Sequence, residues 1–387
     1  MFSHRTAWNF SPNRFSQAHR ELLDEGRELL DLTVSNPTRA QFAYDGPSIL
    51  QALNHPESLD YDPQPKGLLS ARRTVACYYS QPPAAQVDAE SILLTTSTSE
   101  GYSYVFRLLC NPGEQVLVPK PSYPLFDFLA DLQDIKLVPY PLLYDHGWQI
   151  DFPSLQKAVT ERTRAIVLVH PNNPTGSYVS AEERATLNEF CAQHSLALIV
   201  DEVFLDYAHE EARPSFAANR EALTFTLSGV SKISGLPQMK LAWIVVAGPD
   251  EVVRPALERL EVIADTYLSM NAPIQYAASA LLDQRYVLQP QLMQRVRANL
   301  EELDRQLSRQ TICERLRVQG GWYAVLRVPV LQSDEDLAIQ LLRHASVMVH
   351  PGHFFDFSND GYLILSLITP PDIFRPAVGR ILQILNH

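Results

Sequence analysis

The chain has 387 residues, enough for two domains of ordinary size with a large buried core. Hydrophobic residues make up 46% and charged residues 20%, as in a globular protein, and the net charge of −12 argues against nucleic-acid binding, which normally requires a basic stripe. The four cysteines lack disulfide or metal spacing and no apolar run reaches about 18 residues, so we expect a cytoplasmic protein with no membrane span and no bound metal.

The N-terminal part predicts an arm, a short helix and an extended segment. Residues 1–15 are polar and aromatic without periodicity, whereas 16–30 carry apolar residues at helical spacing. The extended segment stops at the Asn-Pro of residues 35–38. We expect residues 1–45 to pack with a small C-terminal domain.

The middle of the chain alternates between strands and helices. The predicted strands are 92–94, 115–118, 135–138, 165–169, 197–200, 225–227 and 241–246. Amphipathic helices such as 181–194 lie between several of them. Nearly continuous apolar strands in this alternation predict an α/β fold, in which a mostly parallel seven-stranded sheet is covered by helices on both faces. We assign residues 46–284 to this large domain.

The last hundred residues change character. A long helix over about 289–310 leads into four predicted strands, at 315–318, 322–328, 347–350 and 362–367, and two helices, at 334–344 and 371–385. This pattern predicts a smaller α+β domain over residues 285–387.

Two charged residues follow strands of the predicted sheet, where open parallel sheets bind ligands. Lys232 lies in a turn between apolar runs, and poor solvation would lower its pKa and leave an amine able to form a Schiff base with an aldehyde. Asp201 ends a buried strand, where a carboxylate is costly unless a positive group, such as a protonated pyridine nitrogen, meets it. The plainer interpretation of Lys232 is a solvated residue at a strand end.

Three polar loops follow other strands. Asn173 lies in His-Pro-Asn-Asn-Pro-Thr-Gly, whose prolines hold an amide in place. Tyr123 lies in a proline-rich turn and could stack on a flat ring or belong to the core. Residues 95–101 are rich in hydroxyls and open a helix, which suits a phosphate but also suits a simple helix cap.

Taken in chain order, from residues 95–101 through Tyr123, Asn173 and Asp201 to Lys232, these features resemble the class I/II aminotransferases, the aspartate aminotransferase-like enzymes of fold type I. The resemblance implies a pyridoxal 5'-phosphate enzyme that moves an amino group between an amino acid donor and a 2-oxo acid through a Schiff base on Lys232. Asp201 would meet the pyridine nitrogen, Asn173 would donate to the O3' oxygen, and Tyr123 would stack on the ring. The phosphate would be surrounded by Ser97, Thr98, Ser99, Ser231 and Lys240.

The resemblance also implies a homodimer with shared active sites. In the family, the residue at the position of Tyr61 reaches the phosphate in the neighbouring subunit. Ser35 and Asn36 lie where the family's substrate loop does.

Three positions depart from the family pattern. Lys240 and Phe204 stand where an arginine on the phosphate and a tyrosine on O3' are usual, which predicts weaker phosphate binding and a shifted titration of the Schiff base. Ile364 stands where the arginine for the substrate carboxylate is expected. Either another cation takes over, with Arg39 and His353 as candidates, or the donor has no carboxylate near its amine.

Three other functions fit the sequence less well. A lyase on the same fold, such as a C–S β-lyase or a decarboxylase, would use the same residues. A sensor module of a transcription regulator would need a DNA-binding segment. The stretch before the predicted domain is short and the net charge is −12, so neither favours such a segment. A structural scaffold would not need Lys232, Asp201 and Asn173 together.

Overall fold

The computed structural model describes residues 1–81, 85–124 and 126–386. In that part of the chain the helices are α1 (Arg14–Asp24), α2 (Gly46–Ala52), α3 (Leu69–Tyr79), α4 (Thr98–Leu109), α5 (Phe126–Gln133), α6 (Phe152–Ala158), α7 (Ala181–His194), α8 (Val230–Ile233), α9 (Asp250–Tyr267), α10 (Ala272–Tyr276), α11 (Ala278–Asp283), α12 (Arg285–Leu307), α13 (Asp334–Ala345) and α14 (Pro371–Leu385). The strands are β1 (Leu30–Asp31), β2 (Ile92–Thr95), β3 (Gln115–Lys120), β4 (Lys136–Tyr144), β5 (Trp148–Ile150), β6 (Thr163–Val169), β7 (Ala197–Asp201), β8 (Thr224–Gly229), β9 (Ala242–Ala247), β10 (Glu314–Arg315), β11 (Tyr323–Arg327), β12 (Val347–Met348), β13 (His350–Pro351) and β14 (Tyr362–Ser366).

Helices with clear local signals begin and end where the sequence predicts. In α7 the Ser180 side chain caps the first turn and Glu183 reaches back to the Ser180 N–H. Ser195 then ends the helix in the left-handed conformation, with φ of 54°. The predicted helices at 181–194 and 371–385 are confirmed to the residue. Within the described ranges, no helix combines the length and apolarity that crossing a bilayer requires.

The large sheet has eight strands, one more than predicted, in the order β2-β9-β8-β7-β6-β3-β4-β5. Five neighbouring strands, β4, β3, β6, β7 and β8, run parallel, and β9 and β2 add antiparallel pairs at one side. The additional strand β5 is only three residues long and folds back on β4 as an antiparallel hairpin. So short a segment carries too little alternation to be recognised from sequence.

Helix α4 packs closely on this sheet. Gly101 permits the approach, because a Cβ atom at that position would lie 2.6 Å from the Leu227 side chain of β8. The apolar face of α4, including Val105 and Phe106, is buried against the sheet residues and Leu260 of α9. The first turn of α4 is thereby held at the carboxyl edge of β8.

The C-terminal part forms a four-stranded antiparallel sheet, β10-β11-β14-β13, beside a two-stranded pair of β1 and β12. Residues 347–350, predicted as one strand, are two strands that join different sheets. Helix α1 packs on α13 through Phe15 and Leu22 against Ala338 and Leu342. The proposed division of the chain at residues 284 and 285 stays a prediction.

The segment before α1 contacts helix α5. Trp8 donates from Nε1 to Asp131 of α5 at 2.8 Å, and its ring packs edge-on against Phe128. The arm therefore contacts a helix that packs on the large sheet, whereas α1 contacts α13 of the C-terminal part.

Candidate active site

A cleft of about 360 Å³ opens where strands β6, β7 and β8 end. Residues predicted from the sequence make up much of its lining, namely Ser35, Thr98, Ser99, Tyr123, Asn173, Asp201, Ser231 and Lys232. Phe204, placed by the sequence analysis beside the cofactor oxygen, also lines the cleft, whereas Tyr102, Tyr323, His350 and Phe355 were not predicted as lining residues. The structure therefore brings together groups from the N-terminal segment, the large sheet and the small sheet.

Asp201 is the last residue of β7 and faces this cleft. One carboxylate oxygen accepts from the Val203 N–H at 3.1 Å, and the other accepts from the Tyr102 hydroxyl at 3.3 Å. Burial raises the pKa of the carboxyl to about 6, opposed by those hydrogen bonds and by the charge of Lys232. The site thus holds a carboxylate that a cationic ligand would stabilise.

Glu202, the next residue, points away from the cleft. Its carboxylate accepts from the Ser215 hydroxyl and the Phe216 N–H, both at 2.6 Å. Alternation along the extended chain predicts this opposite orientation. In the structure, Asp201 lines the cleft and Glu202 does not.

Lys232 lies in the one-turn helix α8, directly after β8. Its Nζ is 3.5 Å from the Ser35 carbonyl oxygen, 5.6 Å from the centre of the Phe204 ring and 5.0 Å from that of Trp322. Although the side chain remains accessible from the cleft, the apolar surroundings lower its pKa to about 8, and Asp201 opposes the shift. The predicted poorly solvated lysine is present.

Asn173 presents an unpartnered amide oxygen. The neighbouring Asn172 holds the loop, since its amide oxygen accepts from the Thr175 hydroxyl at 2.9 Å. Asn173 is 8% exposed and its Oδ1 is buried with no hydrogen-bond partner in the described chain. Gly176, with φ of 69°, lets the loop pass the Gly320 carbonyl, with which a Cβ atom would collide. A buried amide without a partner is costly and fits a ligand in the cleft.

The first turn of α4 supplies further donors. The Ser97 side chain caps the helix by accepting from the Glu100 N–H at 3.2 Å, so it is occupied locally. Thr98 and Ser99 follow it and line the cleft. Free N–H groups and hydroxyls at a helix start favour an anion at this end of the site.

Several predicted residues lie outside the cleft. Tyr61 is 82% exposed and lines a separate hollow of about 410 Å³, formed mainly by residues 58–65 and 268–273. Lys240 is exposed, in the left-handed conformation. Asn36 accepts through its side chain from the N–H and hydroxyl of Thr38. Arg39 and His353 are exposed and do not line the cleft.

The wall behind Lys232 is aromatic and was not predicted. The rings of Phe204 and Tyr207 both meet Trp322 edge-on, with centroids 5.1 and 5.0 Å apart. These three residues share one buried cluster with the small sheet. No local signal in the sequence indicates that Trp322, 90 residues after Lys232, would reach the site.

The comparisons with known proteins agree with this geometry. Residues 27–373 match the family model described as aminotransferase class I and II. The alanine aminotransferase of Mycobacterium tuberculosis H37Rv is 28% identical over 362 residues, which cover 90% of this chain and 82% of that protein. The glutamate-pyruvate aminotransferase AlaA of Escherichia coli K12 is 31% identical over 268 residues, covering 68% and 65%. The structure of an alanine aminotransferase from Pyrococcus furiosus superposes with a TM-score of 0.89 over 100% of both chains, at 21% identity, which shows the same fold.

Proposed function

The chain belongs to the class I and II aminotransferase family, and we propose that it works with pyridoxal 5'-phosphate bound in the cleft of Lys232 and Asp201. As a member of that family it is an aminotransferase, and nothing in the comparisons favours the lyase alternative. The observation that carries the proposal is the pairing of a desolvated amine with a buried carboxylate in one cleft.

The residues present fit this cofactor. When bound, pyridoxal phosphate supplies an aldehyde that reacts with amines and a pyridine ring that withdraws electrons from the substrate carbon. Lys232 would hold it covalently, Asp201 would keep the ring nitrogen protonated, and the side-chain N–H of Asn173 would donate to its phenolic oxygen. Tyr123, exposed to the cleft, would cover the ring.

The phosphate would lie at the start of α4. Thr98, Ser99 and Ser231 line that part of the cleft, and Ser97 holds the helix end in shape. Lys240 would contribute charge at longer range, since it is exposed and lacks the forked geometry of an arginine.

Lys232 also has the properties of the group that moves the proton of the substrate carbon. A pKa near 8 leaves a substantial fraction of the amine neutral at mildly alkaline pH, in which form it can accept a proton. The aromatic wall of Phe204 and Trp322 excludes water from one side of the amine. The Tyr207 hydroxyl donates a hydrogen bond to the main-chain carbonyl of Lys232 and so holds this segment in place.

We further propose a cytoplasmic homodimer. Tyr61 projects from an exposed loop together with Leu59, which is 94% exposed, as expected for side chains that meet a second copy. All four cysteines are free thiols, which fits a reducing compartment. Sedimentation of the wild-type protein and of Tyr61→Arg would test the dimer, because a buried charge at this position should dissociate it.

The names of the relatives indicate which substrates to test first, namely alanine and glutamate as donors with pyruvate and 2-oxoglutarate as acceptors. Purified protein loaded with pyridoxal phosphate should convert donor and acceptor in equal amounts. Without any acceptor, a C–S β-lyase would instead release ammonia from a sulfur-containing donor, and a decarboxylase would release CO₂. If no amino acid exchanges its amino group with any 2-oxo acid, the proposed function is wrong.

A further inference from the structure

The cleft holds few groups that can meet a carboxylate. Among its lining residues in the described part of the chain, only Lys232 and His350 carry a nitrogen that can become cationic. Lys232 is assigned to the cofactor under the proposed function. An α-amino acid and a 2-oxo acid each bring a carboxylate into this mostly apolar cleft, and a carboxylate buried without a partner is costly.

His350 enters the cleft from the small sheet. It is the first residue of β13 and lies directly opposite Ile364 of β14. Residues opposite each other in an antiparallel pair extend to the same face, so the imidazole occupies the space beside the fully buried Ile364 side chain. Phe354 and Phe355 flank the ring, with centroids 5.8 and 5.7 Å away.

The imidazole has no partner for one of its nitrogens. Nδ1 is buried without a hydrogen bond in the described chain. Nitrogens buried in this way normally have a partner, so an unpaired one beside a cleft marks a place for a ligand. Burial lowers the pKa of His350, and Asp31 is the charged group that opposes the shift. A bound carboxylate would favour the cation further.

We propose that His350 is the residue of this chain that binds the carboxylate of the amino acid and of the 2-oxo acid. The proposal rests on the proposed function, since it concerns the substrate of the same cleft. The alternatives from the sequence, Arg39 and His353, are exposed and outside the cleft lining. His353 is only three residues from His350, but the chain turns between them into a short 3-10 helix.

Steady-state kinetics of the cofactor-loaded enzyme test the proposal. His350→Phe keeps an aromatic ring of similar size and removes both nitrogens, and His350→Gln keeps a donor without the charge. We expect His350→Phe to raise the KM for the best α-amino acid and for its 2-oxo acid roughly tenfold to a hundredfold, because a hydrogen bond to a charged group is lost. His350→Gln should give a smaller rise, and kcat should change less than KM in both.

The matched control is His344→Phe, the same substitution at an exposed histidine of α13 outside the cleft. It should leave both KM values unchanged. A second control is a simple amine without a carboxylate, whose slow turnover by wild type should be equal in His350→Phe. If His350→Phe instead slowed the amine as much as the amino acid, His350 would act by packing alone and the proposal would be overturned.

Binding measured by calorimetry gives a readout independent of turnover. Propionate should bind the cofactor-loaded wild type more tightly than propionamide, and His350→Phe should remove that preference. Titrations at about pH 8 in buffers of different ionisation enthalpy should show proton uptake with propionate in wild type. His350→Gln should show less uptake, and equal uptake in both proteins would overturn the assignment.

The outcomes separate the inference from the function on which it rests. If wild type exchanges amino groups but His350→Phe binds propionate and amino acid as wild type does, only the His350 assignment fails. Loss confined to Arg39→Ala or His353→Ala would overturn it in favour of that residue. Absence of amino-group exchange in wild type would reject the proposed function, while the propionate titration would still test His350.

Discussion

The hydroxyl of Tyr207 donates a 2.6 Å hydrogen bond to the main-chain carbonyl of Lys232. The bond links the segment that follows Asp201, the last residue of β7, to the one-turn helix α8, which carries Lys232. Tyr207 is itself fully buried against Trp322. The relative position of the amine and the carboxylate therefore depends on a tyrosine whose hydroxyl bonds to the main chain of Lys232.

Tyr207→Phe should lower the free energy of unfolding by about 1 kcal/mol and also slow the covalent uptake of pyridoxal phosphate. The control is Tyr178→Phe, which removes a 2.9 Å bond to the Leu205 carbonyl without contact to Lys232. Chemical denaturation and the rate of cofactor uptake measure the two effects. Equal uptake rates in both variants would show that the Tyr207 bond is structural only.

Lys232→Ala should yield folded protein without the absorption of lysine-linked cofactor and without amino transfer. The reason is that the amine both holds the cofactor and moves the proton under the proposed function. Lys157→Ala, at an exposed lysine of α6, is the control and should match wild type. Turnover of a donor by Lys232→Ala at the wild-type rate would remove the central assignment.

Asp201→Asn and Glu202→Gln form a matched pair of neighbouring substitutions. Asp201→Asn should reduce turnover roughly a hundredfold or more while leaving some cofactor bound, since the charge facing the pyridine nitrogen is lost. Glu202→Gln should leave turnover within about threefold, because its carboxylate bonds to Ser215 and Phe216 instead. Turnover and bound cofactor are measured for both, and retained activity in Asp201→Asn would contradict the role of that carboxylate.

The uptake of pyridoxal phosphate by cofactor-free protein should depend on pH through Lys232. The neutral amine reacts, so the rate should rise with pH and level off above about 8, the lowered pKa of this lysine. Because Asp201 raises that pKa, Asp201→Asn should move the midpoint to lower pH. Uptake rates from pH 6 to 10, corrected for titration of the cofactor, test this prediction; a rate that climbs past pH 9 without levelling would contradict it.

The lowered pKa of Lys232 also makes the stability of the protein depend on pH. Between about pH 8 and 10.5 the unfolded chain holds more protons on Lys232 than the folded chain does. The free energy of unfolding of the cofactor-free protein should therefore rise with pH in this window relative to Lys232→Met. Denaturation at two pH values in both proteins measures the difference.

Phe204→Tyr should lower the pH midpoint at which the absorption of the bound cofactor changes. Phe204 lines the cleft beside Lys232, so an added hydroxyl can donate to the phenolic oxygen and favour its ionised form. Absorbance titrations of the two loaded proteins compare the midpoints. An unchanged midpoint would show that Phe204 serves only to pack against Trp322.

The sequence by itself determined the alternation of the large sheet and most of the chemistry at its edge. Parallel strands end at one edge, so polar residues that directly follow buried strands must converge there, as Asp201, Asn173 and Lys232 do. The alternation of side chains along an extended chain also predicted that Glu202 points away from Asp201. These inferences needed only local pattern and the geometry common to all parallel sheets.

The tertiary structure alone decided which distant residues complete the cleft. Tyr323 and His350 belong to the small sheet, and Trp322 directly precedes its strand β11. The placement of that sheet against the large one depends on packing between segments far apart in sequence. His350 and His353 are the same residue type, so the sequence does not distinguish them. The chain changes from a strand to a 3-10 turn after Pro351, which directs His350 into the cleft and His353 to solvent. Local periodicity cannot predict that difference, because it is set by the pairing of β13 with β14.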